Sequence, residues 1–317
     1  MTSRTISTDP KTSTYTLSTP TEIRAALEAA REAAGPGPAA PAASAATGPA
    51  APAEAPWMVA LDIDGTIVDF DGNMTDKVRA AIEDLVASGA EVVLATGRSL
   101  LATRTIIDDL GLSHGWAISS NGAITTRLDA ALPGGYEISD TITFDPGPAL
   151  RVLKEELPEA LIAVEDVGRG HKMTAPFPPG ELTGPYEIVD FEELCATPAT
   201  RVAIRSPEHS REEFSAAVER MGLQGVSYAI GWTSWMDINP DGVNKAAALD
   251  PVRTRLGIPP ERTIAAGDGT NDLEMLAWAR VSAAMGQGPA EVHEAADLHL
   301  DSIENDGLLP LLRALMD

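Results

Sequence analysis

The sequence predicts an α/β protein: a parallel sheet with helices on both faces, interrupted by an inserted α+β region. Three observations lead there. Between Trp57 and Ser119, short apolar runs alternate with stretches of helical spacing in the order β-α-β-α-β, which implies parallel strands joined by covering helices. The same rhythm returns after Pro240. Between the two, residues 129–237 follow a different pattern of shorter strands and helices. The chain has 317 residues, 44% of them apolar; at roughly 100–200 residues per domain this suits about two domains.

The first 56 residues stand apart. Ile23, Leu27 and Ala30 share one face of a short helix between Pro20 and Ala34, with Thr19 or Thr21 as its N-cap. From Ala33 to Pro56 nearly every residue is Ala, Pro or Gly, and the repeated prolines break helix while offering little to bury. Residues 1–56 are therefore expected to form a disordered Ala/Pro-rich leader with one short helix. Order is expected to begin at Trp57. Met58–Ile63 is an apolar run that reads as a buried strand. Helical spacing follows from Asp76 to Ser88 (Val78, Ile82, Leu85, Val86), closed by Gly89. Glu91–Ala95 is a second strand, Leu100–Leu110 a second helix closed by Gly111, and Trp116–Ser119 a third strand.

In the insertion, strands are expected at Tyr136–Phe144, Leu161–Glu165 and Thr200–Arg205, and around Ser227 and Trp235. Helices are expected at Pro148–Leu157 and His209–Met221. The stretch from Gly168 to Gly184 is rich in Gly and Pro and reads as loop. After Pro240, helices are expected at Asn244–Leu256, Asp272–Ala279 and Pro289–Ala296, with strands at Thr263–Ala266 and Val281–Ala284.

Charge and composition exclude several classes. Lys and Arg number 23 against 47 Asp and Glu, a net charge of −24. No basic face is available for a nucleic-acid backbone or an anionic membrane, so neither partner is expected. The single cysteine, Cys195, rules out an intramolecular disulfide and a multi-cysteine zinc site. No apolar run approaches membrane-spanning length, and Met1–Pro20 lacks the apolar core of a signal peptide. A cytoplasmic protein is expected. The five histidines (114, 171, 209, 293 and 299) fit no ligand spacing.

Four segments carry chemistry, each where a strand gives way to a loop. In Val59-Ala-Leu-Asp62-Ile-Asp64-Gly65-Thr66 two carboxylates follow an apolar strand at i and i+2. Close carboxylates repel unless a cation holds them, and a hard divalent ion such as Mg²⁺ suits oxygen ligands. Gly65 permits a sharp exit from the strand. A solvated turn would also accept two aspartates. A calcium loop would not fit, since Ile67 and Asn73 stand where it needs Gly and Glu, and no glycine-rich nucleotide loop is present. At Ala95-Thr96-Gly97-Arg98, Thr96 offers a hydroxyl and Gly97 lets backbone approach a phosphate. Lys245, in Asn239-Pro-Asp-Gly242-Val-Asn244-Lys245, stands at a helix start, where an anion would relieve its misfit with the helix dipole. In Gly267-Asp268-Gly269-Thr-Asn271-Asp272, glycines flank Asp268, while Asp272 suits a first helical turn as a cap or a functional group. Parallel topology would gather such strand ends at one edge of a sheet, as phosphoryl transfer requires.

These four segments, in order, resemble the motifs of the haloacid dehalogenase superfamily. The insertion, the stretch Ser119-Ser120-Asn121-Gly122-Ala123 and the form Gly242-Val-Asn-Lys245 resemble its Cof-like subgroup with a C2B-type cap. The resemblance covers about Trp57 to Asp317. It implies a Rossmann-like core at residues 57–128 and 238–317, a C2B α+β cap at 129–237, and a Mg²⁺-dependent phosphatase of a small phosphorylated metabolite, a sugar phosphate or a phosphorylated cofactor. By the same resemblance Asp62 would be the nucleophile and a metal ligand, forming an aspartyl-phosphate. Asp64 would be the general acid/base and offer its carbonyl to the metal, and Asp268 would be the third metal ligand. Thr96, Gly97, Lys245 and Asn271 would hold the phosphoryl group, and Asp272 would orient the metal shell or Lys245. Arg98 and Asn121 match family positions without an assigned role. Trp232 and Trp235 flank the cap's return to the core, as packing or as a pocket wall. Two other readings stay open: a phosphomutase of the same superfamily, and a non-catalytic phosphate-binding scaffold, against which the retention of both Asp62 and Asp64 argues.

Overall fold

The structure is a computed structural model that describes residues 5–7, 14–35, 55–223, 225–230 and 234–317. Residues 36–54, most of the Ala/Pro-rich stretch Ala33–Pro56, and Trp232 lie outside the described residues. The chain divides into two compact units, Met1–Leu94 with Leu249–Asp317, and Ala95–Ala248.

Two short strands, β1 (Thr5–Ser7) and β2 (Thr14–Thr16), pair antiparallel ahead of helix α1 (Pro20–Ala34). Then follow β3 (Met58–Leu61), α2 (Asp76–Ala87), β4 (Glu91–Ala95), α3 (Leu100–Asp109), β5 (His114–Ser119), β6 (Ile124–Asp129) and β7 (Tyr136–Thr141). Next come α4 (Gly147–Glu156), β8 (Leu161–Asp166), β9 (Gly170–Met173), β10 (Tyr186–Ile188), α5 (Phe191–Ala196), β11 (Val202–Arg205) and α6 (Arg211–Met221). The chain continues through β12 (Val226–Ile230), β13 (Trp235–Pro240), α7 (Lys245–Leu256), β14 (Thr263–Gly267) and α8 (Leu273–Trp278). It ends with β15 (Val281–Ala284), α9 (Ala290–Ala295), β16 (Leu298–His299) and α10 (Leu309–Met316).

In the first unit, strands β16, β15, β14, β3 and β4 lie side by side in that order, all parallel. β3 and β15 are buried along their whole length, as runs of Val, Ala, Leu and Met in a covered parallel sheet should be. The leader contributes to this unit. α1 begins with a reciprocal cap: the Thr19 hydroxyl accepts the Glu22 N–H, and the Glu22 carboxylate accepts the Thr19 N–H. Ile23, Leu27 and Ala30 are buried where α1 packs on α10. Burying the Ile and Leu side chains contributes about 3–5 kcal/mol. Ahead of the helix, the Tyr15 ring stacks on His293 at 4.3 Å and its hydroxyl donates to Ala290 O. Ser18 and His299 exchange two hydrogen bonds. Thus His293 and His299, scattered in sequence, meet with 3.1 Å between their Nδ1 atoms. Among the described residues no helix is long and apolar enough to cross a membrane.

The second unit holds a six-stranded sheet in the order β10-β9-β8-β11-β13-β12, antiparallel except for β10 on β9. One face buries Ile162, Val164, Val202, Ile204, Met236 and Ile238 under α4, α5 and α6. The other face packs Ala163, Met173 and Ala203 against Phe177, Leu182 and Trp235. Trp235 meets Phe177 edge to face and donates from its indole N–H to Asp237, so its surroundings are packing.

One expectation needs correction here, and several elements were not foreseen. β5, β6 and β7 form an antiparallel meander; the parallel rhythm ends at β5, where the sequence rhythm ends, and β6 was not expected, because the tight turn at Ser120–Gly122 returns the chain at once. The expected loop Gly168–Gly184 opens with β9, because a turn closed by Arg169 N–H to Asp166 O makes a hairpin with β8. β10 and α5 were not expected; both are short, and β10 is exposed throughout. α10 was not foreseen either: its period is present, with Pro310, Arg313 and Met316 exposed opposite the buried Leu309, Leu311, Leu312, Ala314 and Leu315, but it spans only eight residues at the end of the sequence.

Candidate active site

In the first unit, β3 and β14 are adjacent parallel strands, with Ala266 opposite Leu61. Asp62 follows β3 directly, its N–H held by Ala266 O at 3.0 Å, and Asp268 follows β14. Their carboxylates meet that of Asp272: one oxygen from each lies within 4.8 Å of the other two, and all three residues are buried. Among the described residues, this is the group of carboxylate, imidazole and thiol side chains placed to share an ion. Asp64 is half-buried and its carboxylate is not among the three. It sits in a tight turn in which Ile67 and Val68 N–H groups donate to Ile63 O and Gly65 N–H to Val68 O.

Glycines make the space. Gly65 takes φ +77°, as its sharp exit demands, and a β-carbon there would overlap the Asp268 carboxylate. A β-carbon on Gly267 would overlap Asp272. Asp272 also caps: its Oδ2 accepts the N–H groups of Asp268 and Gly269 at 3.0 and 2.9 Å. It therefore fixes the Asp268 backbone as well as joining the cluster. Three buried carboxylates concentrate like charge in a low-dielectric pocket, and this set of hard oxygen donors suits a hard divalent cation.

Gln287 was not singled out from the sequence. Its Nε2 donates to Asp268 Oδ2 at 3.1 Å and to Gly65 O, while its Oε1 accepts the Ile303 N–H at 3.0 Å. It thus ties the two strand-end loops together. The available signal was position: Gly286-Gln287-Gly288 follows β15, a further strand end flanked by glycines. Asn271 is half-buried, and its Oδ1 lies 2.6 Å from where a β-carbon on Gly269 would stand.

In the second unit, Thr96 directly follows β4 and is buried, its N–H donating to Ile118 O at 2.9 Å. Its hydroxyl accepts the Arg98 N–H at 3.1 Å. Beside it runs Ser120-Asn121-Gly122, all three with left-handed φ of +51°, +53° and +106°. Ser120 N–H donates to Arg98 O and Asn121 N–H to Thr96 O. The Asn121 carboxamide lies against Gly97 and donates to Asn239 Oδ1 at 3.0 Å. A β-carbon on Gly122 would overlap the backbone of Asn244, the residue before Lys245. Lys245 opens α7 and is fully buried, a cation held at the positive end of a helix dipole. Thr96, Gly97, Asn121 and the start of α7 thus form one connected patch.

The haloacid dehalogenase-like hydrolase family description matches residues 59–135 and 181–312. The chain belongs to this family. A relative, the 5-amino-6-(5-phospho-D-ribitylamino)uracil phosphatase YitU of Bacillus subtilis (strain 168), is 26% identical over 266 residues, which are 81% of this chain and 97% of the relative. The HMP-PP phosphatase of Serratia proteamaculans (strain 568) is 26% identical over 239 residues, 72% of this chain and 83% of the relative. A solved haloacid dehalogenase-like hydrolase from B. subtilis shares the fold with a TM-score of 0.68 at 21% identity, over 81% of this chain and 98% of that one. The matched family region starts at residue 59, so α1 lies outside it.

Proposed function

We propose that the chain is a Mg²⁺-dependent phosphatase that hydrolyses a small phosphomonoester through an aspartyl-phosphate on Asp62. The observation that carries this reading is the buried convergence of Asp62, Asp268 and Asp272 at the ends of two adjacent parallel strands, within a family of hydrolases. Residues 57–128 and 238–317 are proposed as the catalytic core, and 129–237 as the cap that selects the leaving group.

Mg²⁺ would be held by Asp62, Asp268 and the Asp64 carbonyl, with Asp272 beside them, and would supply charge neutralisation for the phosphoryl group. The Asp62 carboxylate attacks phosphorus, and the bond to the ester oxygen breaks. Asp64 gives its proton to the leaving alkoxide, then takes one from a water that attacks the aspartyl-phosphate, releasing inorganic phosphate and restoring Asp62. Thr96, the Gly97 N–H, Lys245 and Asn271 are the proposed phosphoryl donors. They offer a hydroxyl, a backbone amide, an ammonium and a carboxamide to the charge that builds on the oxygens.

Relatives named for a phosphoribityl compound and for HMP-PP support a small phosphorylated metabolite, a sugar phosphate or a phosphorylated cofactor, as substrate. The test is phosphate release from a panel of such esters. Wild type with Mg²⁺ is expected to turn over at least one ester, while Asp62→Asn and an EDTA-treated sample turn over none. Full activity in a verified metal-free sample, or in Asp62→Asn, would overturn the reading.

A further inference from the structure

Glu165 lies on β8, inside the region proposed as the cap, and is only 5% exposed. Buried carboxylates need partners, and this one has three. Its Oε1 accepts the Leu100 N–H at 2.8 Å, the first amide of α3. Its Oε2 accepts the Ser120 hydroxyl and, at 3.1 Å, the Thr200 hydroxyl. The charge sits at the N-terminus of α3, where the helix dipole favours it.

The Ser120 end of this network is strained. Ser120 and Asn121 are consecutive non-glycine residues in the left-handed region, a conformation that persists only where surroundings enforce it. Asn239 contributes, donating to Ser120 O at 2.9 Å and to Thr200 O at 3.1 Å. Glu165 supplies the side-chain anchor of the turn's first residue. On its far side the turn touches Thr96 O, Gly97, Arg98 O and the backbone of Asn244. One carboxylate therefore grips the helix that follows the Thr96 loop and the turn that braces both that loop and the start of α7 at Lys245.

We infer that Glu165 is a positioning residue: through Ser120 and Leu100 it sets the geometry of Thr96, Gly97 and Lys245 as a phosphate-binding patch. It does not touch the phosphate itself. The inference rests on the proposed phosphatase reading for the identity of the ligand.

The test compares folded wild type, Glu165→Ala, Glu165→Gln and Ser120→Ala by KM, kcat and calorimetric affinity for inorganic phosphate with Mg²⁺. Glu165→Ala is expected to raise KM and weaken phosphate binding by about 10-fold or more, since small misplacements of binding groups are costly. Ser120→Ala, which removes only the link to the turn, is expected to shift both in the same direction. Glu165→Gln keeps the acceptor for Leu100 N–H and is expected to restore most of the loss. Replacing Ser120 by glycine in the Glu165→Ala background, which relieves the left-handed strain, is expected to recover phosphate affinity in part.

A lowered melting temperature with unchanged KM and phosphate affinity would make Glu165 merely structural and overturn the inference. If Glu165→Ala does not fold, Ser120→Ala and Glu165→Gln decide by the same readouts. Wild type that binds phosphate but hydrolyses no ester would sink the phosphatase reading alone; the inference then stands or falls on whether the variants lose phosphate. Wild type that binds no phosphate would overturn both.

Discussion

The carboxylate of Asp268 occupies the space that a side chain on Gly65 would need. The two residues lie on different strand-end loops, and the missing β-carbon of one creates the seat of the other. Gly65→Ala must displace Asp268 and also hold alanine at φ +77°. The expected result is a fall in kcat/KM of about 100-fold, since a misplaced group near 1 Å off costs that much. A weaker Mg²⁺ dependence constant should accompany it. Wild-type kinetics in Gly65→Ala would show that Asp268 need not sit where it does.

Gln287 bonds both sides of that seat. Partners that orient metal ligands commonly matter by about 10–100-fold in metal affinity. Gln287→Ala is expected to weaken Mg²⁺ activation within that range while leaving the maximal rate at saturating Mg²⁺ nearly intact. A Mg²⁺ titration at fixed substrate checks it, and an unshifted midpoint would remove Gln287 from the site.

Acid should unfold this protein through two histidines. Burial pushes His171 down to about 4, with the Arg201 charge helping. Burial, with His299 beside it, does the same to His293. In the unfolded chain both take up a proton near 6.5. Between pH 6.5 and 4 the unfolded state binds more protons, so stability falls as pH drops through that window and is unaffected by these groups above it. For His171 the loss is on the order of 3 kcal/mol at the acid end. Among the described residues, neither ring nitrogen of His171 has a hydrogen-bond partner. His171→Leu is expected to raise the urea midpoint at pH 5 by more than it does at pH 7.5. Equal shifts at the two pH values would refute the assignment.

The leader helix is expected to be integral to the first unit. Leu27 is 1% exposed, and truncating such a side chain to alanine costs about 2–5 kcal/mol. Leu27→Ala should therefore lower stability by that amount, read from denaturant unfolding, while Glu28→Ala on the exposed face should change little. Equal effects would mean that α1 packs on nothing in solution.

Legibility in the sequence tracked how locally each feature is encoded. β4 and β15 match their expected bounds residue for residue, because Glu-Val-Val-Leu-Ala and Val-Ser-Ala-Ala are short apolar runs set off by turns. α1 was readable from Ile23, Leu27, Ala30 and Thr19, all local signals. Its docking was not, since the partner α10 lies at the other end of the chain. β9 was hidden because Gly-His-Lys-Met has little strand character of its own and is held by its pairing with β8.

At the site, the aspartates announced themselves by charge at strand ends. Asp272 could be read as a cap or as part of the acidic site, and its two oxygens let it serve both. Gln287 carries no charge and Glu165 lies in the insertion, 65 residues from the amide it accepts. Only the fold brings such residues to the loops they brace.

Arg24 on α1 pairs with Asp317, the last residue of the chain, and α1 lies along α10. The helix is thus packed on elements far from it in sequence. A protease cut between Gly35 and Trp57 should therefore yield a two-piece protein whose 1–35 fragment co-purifies with the remainder. The same fragment, added as a synthetic peptide, should complement a chain that begins at Trp57, which makes the leader a natural split point for a reporter assembled from two polypeptides.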